Sequence, residues 1–383
     1  MNLSFQKLFF AIGAVCAIFA VLILAKTILI PLGFALLLSF ILYPLARRYE
    51  LWGANILFAA FLSILTVIII IFGAIYLFST QIISLSKEFS DIQDRILSIF
   101  ADITIYTNNN INFVPHLEKG ELFDRIENWF TESSGLLLRQ TFNSTTAITA
   151  GMLLAIVYTF LILIYREGII HAFCRFFPED RREQALRMFK SVQRVGKQYL
   201  FGMLLIMFIL GLINSIGLMI VGLDNPFLFG FMAAALAIIP YVGTFLGAAI
   251  PVLYAFVSYD SPWMAVSVAI MFWVVQIIES NFLTPKIVGG NIKINALTAI
   301  LSIIIGASVW GVAGMILFLP FAAMLRVVCE HYIQLQPIAL LIGEQNIVER
   351  GDGTKFLNRW GDKIKRWFSK RHLSEGKSTD ETT

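Results

Sequence analysis

Two stretches of the chain hold the side chains and backbone breaks that could do chemistry. The first, Gln276 to Gly289, carries Gln276, Glu279, Asn281, Pro285 and Lys286 at the end of a very apolar segment. Gln276 and Glu279 are three apart and share a helix face. An ionisable group beside such a segment is a candidate proton carrier or polar substrate contact, because charge within hydrocarbon is costly. Lys286 follows two turns on, and Pro285 is expected to end the helix before it. Pairing of Glu279 with Lys286 is therefore open, and a solvated Glu279 at the membrane interface is an equally good reading.

The second stretch places Pro240, Gly243, Gly247 and Pro251 four, three or four residues apart within an apolar run. Each proline removes a backbone donor, and the carbonyl it frees needs a partner. Broken helices of this kind are tolerated in membranes where they line a cavity, and their exposed ends bind ions or polar solutes. A lone glycine or proline would more simply allow close packing or a kink, but four such residues in this short stretch favour a functional break. A third candidate is Asn214 with Ser215, midway along another apolar segment. For Asn214 a hydrogen bond to a neighbouring helix is the favoured role over substrate contact.

Enzyme signatures are missing. The chain has no G-x-x-x-x-G-K-[ST] loop, no H-E-x-x-H and no G-x-S-x-G elbow. Its histidines, His116, His171, His331 and His372, lie near or beyond the ends of apolar segments, and Cys16, Cys174 and Cys329 lack the spacing of a metal site or a disulfide framework. No cofactor and no metal are expected, and an ATP-driven pump would need a partner ATPase. A net charge of +4 scattered over loops argues against nucleic acid as a partner.

The elements that must position these residues follow from composition. Of 383 residues 58% are hydrophobic and 14% charged, against roughly 45 to 50% and about 25% in soluble domains. The apolar residues arrive in blocks long enough for a roughly 30 Å hydrocarbon core, and only helices satisfy their own backbone there without barrel-style alternation. The expected class is an all-α, polytopic helical membrane protein of about eight spans, with broken helices in the C-terminal half. The spans are Leu8–Ala25, Ile28–Ala46, Ile56–Phe78, Ala147–Tyr165, Leu200–Gly222, Phe227–Val257, Trp263–Ile278 and Leu297–Leu325. Lys26 occupies the place of a signal-peptide cleavage site, so the first span is expected to be retained.

Charge orients them. Residues 80–145 carry five basic and nine acidic side chains, whereas residues 166–199 carry eight basic and four acidic, and residues 350–371 eight basic and two acidic. The first segment belongs outside and the other two inside, which requires an even number of crossings with both termini cytoplasmic. On this count Phe227–Val257, interrupted by Ile239 to Gly243, is one broken crossing, and Trp310 to Gly314 can divide the last run in the same way. A weak internal similarity links Gly243, Gly247 and Pro251 to Gly311, Gly314 and Pro320, and paired interrupted segments are a hint of a repeat-built transporter. The domains are then residues 1–79 with three spans, 80–145 as an extracytoplasmic amphipathic region, 146–335 as a transport core with a cytoplasmic basic helix at 167–199, and a cytoplasmic tail from 336. In that tail Phe356, Trp360, Ile364 and Trp367 recur at helical spacing among basic residues, as in a helix lying on an anionic leaflet. The chain beyond Ser369 is polar, without apolar periodicity, and is expected to be disordered.

At these residues the sequence resembles the autoinducer-2 exporter family of bacterial permeases. The resemblance is carried by Ile30-Pro31-Leu32-Gly33 through Tyr43-Pro44-Leu45, Phe176-Phe177-Pro178, Ile239-Pro240-Tyr241-Val242-Gly243 through Pro251, Glu279-x-Asn281 with Pro285 to Gly289, and Gly306 through Pro320. It covers residues 1 to about 335 and departs from the family pattern at Met203 and Ala296. It implies an inner-membrane permease of roughly eight spans and a homo-oligomer, pentamers being known in the family. Members are linked to export of the furanone signal autoinducer-2, others to exchange of sodium or lithium for protons.

The leading expectation is an exporter of small polar solutes working by alternating access. Pro240, Gly243, Gly247 and Pro251 would shape its cavity, with polar contacts from Glu279, Asn281 and Lys286. A cation/proton antiporter using Glu279 is the rival of the same class. A membrane scaffold that transports nothing is the rival of another class, and the breaks at Pro240 and Pro251 argue against it.

Overall fold

The computed structural model describes residues 5–87, 148–289 and 294–344. The chain divides into two compact units, residues 1–342 and 343–383, and the helices below all belong to the first. The surface helices expected within 84–140 lie outside the described residues from 88 onward, as does the tail helix at Phe356 to Trp367.

The described elements are helical. They are α1 (Phe5–Leu24), α2 (Lys26–Leu51), α3 (Ile56–Lys87), α4 (Ile148–Arg175), α5 (Arg182–Val221), α6 (Pro226–Leu236), α7 (Val242–Ser258), α8 (Pro262–Ile278), α9 (Ala296–Trp310), α10 (Val312–His331) and α11 (Gln336–Ile342). Among the described residues six helices are long and apolar enough to cross a membrane: α2, α3, α4, α5, α8 and α10. On α3, Ile69, Ile70, Phe72, Tyr76 and Leu77 are all more than half exposed, while Ala59, Ala60 and Ser63 are buried. Large apolar side chains outside and small ones inside suit helices whose solvent is lipid. The chain is a multi-pass helical membrane protein.

Within this frame some expected boundaries shift. α1 and α2 are separated by a single residue, Ala25, with φ −94° and ψ 16°. Its N–H donates to Val21 O at 2.9 Å and its carbonyl accepts from Leu29 N–H at 2.9 Å, so the junction is a bend in the helix rather than a turn. The basic stretch 167–199, read from sequence as one helix, is divided between the end of α4 and the first half of α5, around Phe177 and Pro178. α5 then runs 40 residues without interruption, about 60 Å at 1.5 Å per residue. It is the strut on which the C-terminal half is built.

The expectation that Phe227–Val257 makes one broken crossing is corrected. α6 and α7 fold back on each other as an antiparallel hairpin: Gly243 lies against Leu236, Gly247 against Ala233, and the Phe229 and Tyr254 rings meet at 4.7 Å. The reason is steric. Gly247 brings the α7 backbone so near Ala233 that an added Cβ would stand 3.0 Å from its Cα, and only glycine permits such an approach. α6 has 11 residues, about 16 Å, too short for a roughly 30 Å core.

The final run also folds back. α9 and α10 reverse at Gly311, whose φ of +61° and ψ of −137° suit a residue without Cβ, and Gly306 and Gly314 face each other backbone to backbone. Both long runs return to the end from which they started, so the end of α10 lies with the start of α5, where Gln184 Nε2 donates to His331 O.

Candidate functional site

The tip of the α6–α7 hairpin is a tight loop, Ala237–Tyr241. Tyr241 has φ +63° and ψ −58°, and Val242 N–H donates to Pro240 O at 2.7 Å. That combination is a γ-turn with positive φ, a rare and strained conformation for a residue with a side chain. Pro240 precedes the strained residue, and the Tyr241 side chain is 69% exposed. Behind the tip, Gly243, Gly247 and Pro251 are buried along the face of α7 that meets α6. These four residues build the hairpin and aim its tip, where the Thr244 hydroxyl donates to the Tyr241 carbonyl at 3.3 Å.

The second expected stretch adopts a form the sequence did not announce. Beyond Ile278 the helix does not stop at Pro285 but widens into two π-helical turns, Glu279–Leu283 and Pro285–Gly289. A proline ring collides with the carbonyl four residues back and offers it no donor, and widening the helix relieves the collision. Such π turns recur at functional sites. Here they gather polar side chains. Glu279 accepts from Gln276 Nε2 at 2.6 Å and from Thr284 Oγ1 at 2.5 Å. Asn281 Nδ2 donates to Ile277 O at 2.8 Å and Ser280 Oγ to Gln276 O at 2.8 Å. The Glu279 carboxylate is thus held by two neutral donors, and the partner left open by the sequence is Thr284 rather than Lys286.

α5 sets the level of both features. Along α8, Met271 meets Gly217, Val275 packs in one cluster with Leu210 and Ala234, and Leu283 packs against that cluster. Glu279, between Val275 and Leu283, is therefore near the level of Leu210 on α5. Ala234, at the last turn of α6 before the tip, reaches the same level. Asn214 lies one turn away, 5% exposed, its Oδ1 without a hydrogen-bond partner. Among the described residues no donor from a neighbouring helix reaches that oxygen. Beside it, Ser215 Oγ returns to Gly211 O at 2.6 Å and its backbone touches Gly230.

Three groups of residues escaped the sequence reading. Tyr259 hydroxyl bonds Asp224 Oδ2 at 2.7 Å and receives Asp224 N–H at 2.9 Å, closing the open end of the hairpin. Gln81 Oε1 on α3 accepts Leu228 N–H at 2.8 Å and so caps α6, whose own N-cap, Asn225, makes no side-chain bond. Third, Arg166 Nη2 and Arg47 Nη1 donate to Glu50 at 2.8 and 2.9 Å, with the Arg166 guanidinium 5.2 Å from the Tyr43 ring centre. Arg47, Glu50 and Arg166 line a cleft of about 500 Å³ with Asn55, Ile56 and Glu167. A contact across 116 positions leaves no local pattern to find. Among the described residues no cluster of three His, Cys, Asp or Glu could hold a metal ion.

The family described as "AI-2E family transporter" matches residues 9–334. YueF of Bacillus subtilis (strain 168) is 27% identical over 325 residues, covering 82% of this chain and 86% of its own. YrrI of the same organism is 25% identical over 322 residues, covering 81% and 88%. Both are classed by name among transport proteins. The "AI-2 transport protein TqsA" of Escherichia coli (strain K12) is 30% identical over 130 residues, covering 33% of this chain and 38% of its own.

Proposed function

The chain belongs to the AI-2E family of transporters, and from that premise we propose that it is a secondary exporter of small polar organic solutes, the autoinducer-2 signal among them, working by alternating access. The observation that carries this reading is the level shared by the strained hairpin tip and the Glu279 cluster on α5. A short hairpin ending inside the apolar layer and a π turn bearing Glu279, Gln276, Ser280, Asn281 and Thr284 supply the polar lining that a hydroxylated solute needs where no water is at hand. Pro240, Gly243, Gly247 and Pro251 shape the hairpin. Asn214 offers an unused acceptor one turn away, Pro285 holds the π turn open, and Lys286 marks its far end. The name of TqsA supports the solute class.

A second reading, exchange of sodium or lithium for protons, draws on one feature: the Glu279 carboxylate accepts from two neutral donors, Gln276 and Thr284. A carboxylate on a membrane helix is the kind of group that serves ion and proton pathways. In both readings the protein lies in the bacterial inner membrane with both termini cytoplasmic, an orientation supported by the charge pattern, and it works as a homo-oligomer.

The test is flux in proteoliposomes of the full-length protein under an imposed proton or sodium gradient. Gradient-driven movement of the labelled furanone, absent from empty liposomes, is the expected result. Sodium efflux with no furanone movement would transfer the function to the antiporter reading, and no flux of either would return it to the scaffold reading.

A further inference from the structure

A second polar site shares no residue with the Glu279 cluster and lies where the ends of α2 and α3 meet α4. From Ile148 to Arg166, α4 rises about 27 Å at 1.5 Å per residue, close to a roughly 30 Å hydrocarbon core. Arg166 therefore stands at the membrane boundary. The same level holds the end of α2 with Arg47 and Arg48, the turn at Gly53 with φ +99°, and Asn55, whose Oδ1 accepts Phe58 N–H at 2.7 Å and starts α3. Tyr49 and Trp52 meet edge-on there at 5.6 Å, and Trp52 is 79% exposed. Basic groups beside amphipathic aromatic rings mark the headgroup layer.

The cleft at this junction sets the guanidiniums of Arg47 and Arg166 against the carboxylates of Glu50 and Glu167, so its charges cancel. They do not all satisfy one another. Glu50 takes one nitrogen from each arginine. The Arg166 side chain is only 10% exposed, and its Nη1 has no hydrogen-bond partner among the described residues, a costly condition for a buried charged donor. Arg47 is 55% exposed, and a guanidinium carries several N–H donors. Ile56, the first residue of α3, adds the positive end of a helix to the same wall. Glu167, next to Arg166 in the chain, is exposed.

Spare cationic donors beside a solvated carboxylate complement a zwitterion in which a phosphate is followed by a primary ammonium. Guanidinium groups match phosphate geometry, and a primary ammonium has N–H donors to give a carboxylate. An anionic headgroup without the ammonium would set its charge against Glu167 and leave nothing to pair with it. A quaternary ammonium has no N–H to donate. Leu51 and Leu57, 74% and 56% exposed, flank the cleft on the lipid side and offer apolar surface to acyl chains.

We propose that the cleft between α2, α3 and α4 binds a phospholipid with a phosphoethanolamine headgroup, its phosphate on Arg166 and Arg47 and its ammonium on Glu167. The occupant is a lipid rather than a soluble phosphoamine because the cleft stands at headgroup level beside exposed Leu51, Trp52 and Leu57. Glu50 already ties Arg166 of α4 to the end of α2, and Tyr49 of α2 bonds Thr66 of α3 at 2.9 Å. A headgroup seated here fastens the same three helices together from the membrane side. The proposal does not depend on the transport reading.

The test is native mass spectrometry of the purified full-length protein, reading the most tightly retained lipid. Phosphatidylethanolamine, phosphatidylcholine and phosphatidylglycerol with the same acyl chains are offered in turn. The ethanolamine lipid is expected to be retained at least about tenfold better than the choline lipid, the loss of one charge-assisted hydrogen bond. Equal retention on the wild-type protein, which needs no variant, overturns the proposal. Glu167→Gln leaves the cleft with net positive charge and is expected to shift the preference to the glycerol lipid. Arg47→Gln, at an exposed position, is expected to weaken retention of the ethanolamine lipid. An unchanged preference in Glu167→Gln or unchanged retention in Arg47→Gln overturns the assignment of these residues. Millimolar soluble phosphoethanolamine is expected to leave the lipid in place, and displacement by it overturns the lipid in favour of a soluble phosphoamine.

Discussion

Gly243 rests directly on the carbonyl oxygen of Leu236, so near that a Cβ on the glycine would overlap it. The contact fixes how closely the two arms of the first hairpin approach and hence where its tip points. Gly306 and Gly314 hold the second hairpin by the same means. Added methyl groups at such places force backbone shifts that cost about 1 to 3 kcal/mol or more. Gly243→Ala and Gly314→Ala are expected to lower the thermal unfolding temperature in detergent by several degrees. Gly13→Ala, which has open space at its Cβ, is expected to leave it unchanged.

The strain at Tyr241 leads to a change in the other direction. Glycine tolerates φ near +63° without the contacts that burden tyrosine, so Tyr241→Gly is expected to relieve about 1 to 3 kcal/mol at the tip. Thermal unfolding should rise while solute flux falls, because a relaxed tip has less reason to move. A variant both less stable and fully active would contradict the assignment of strain to this residue.

The cap supplied by Gln81 can be separated from mere packing. Gln81→Ala leaves the Leu228 N–H without its acceptor, a loss of about 1 to 3 kcal/mol for a buried donor. Gln81→Glu keeps an oxygen in place beside a helix N-terminus, where negative charge is favourable. Chemical denaturation in mixed micelles should rank Gln81→Ala well below the other two, with Gln81→Glu near wild type.

The buried pair Glu50 and Arg166, with side chains 9% and 10% exposed, invites a double-mutant cycle. Removing Glu50 strands the Arg166 charge at a loss of about 3 to 5 kcal/mol, whereas replacing both by apolar residues is often near neutral. Glu50→Leu should destabilise strongly, Arg166→Met less because Arg47 still holds Glu50, and the double variant should recover most of the Glu50→Leu loss. Additive losses would mean that the pair is not energetically coupled.

Much of this architecture is legible in the chain itself. Hydropathy places the long apolar helices, and the prolines and glycines at 240–251 and 306–320 mark where helices break, because both are backbone constraints written at single positions. What a break becomes is not written there. A kinked crossing and a fold-back use the same residues, and the choice was made by the approach of Gly243 to Leu236 and of Gly247 to Ala233, contacts between segments. The π turn at Glu279 was hidden for a related reason: Pro285 signals that an α-helix cannot continue, without saying whether it ends or widens. Thr284 as the partner of Glu279 follows only from the wider turn, which brings position i+5 onto the face that an α-helix gives to i+3 and i+4. Gln81 and Arg166 act across 147 and 116 positions, beyond the reach of any periodicity.

The central claim, that solute passes the polar cluster on the π turn, is tested most directly by comparing wild type with Glu279→Gln in furanone and sodium flux from proteoliposomes. Glutamine keeps the size and an acceptor oxygen but can neither carry charge nor take up a proton. The account expects furanone flux to fall at least about tenfold, equivalent to roughly 1.4 kcal/mol of lost stabilisation, with the thermal unfolding temperature unchanged. Undiminished furanone flux in a well-folded Glu279→Gln variant would contradict it.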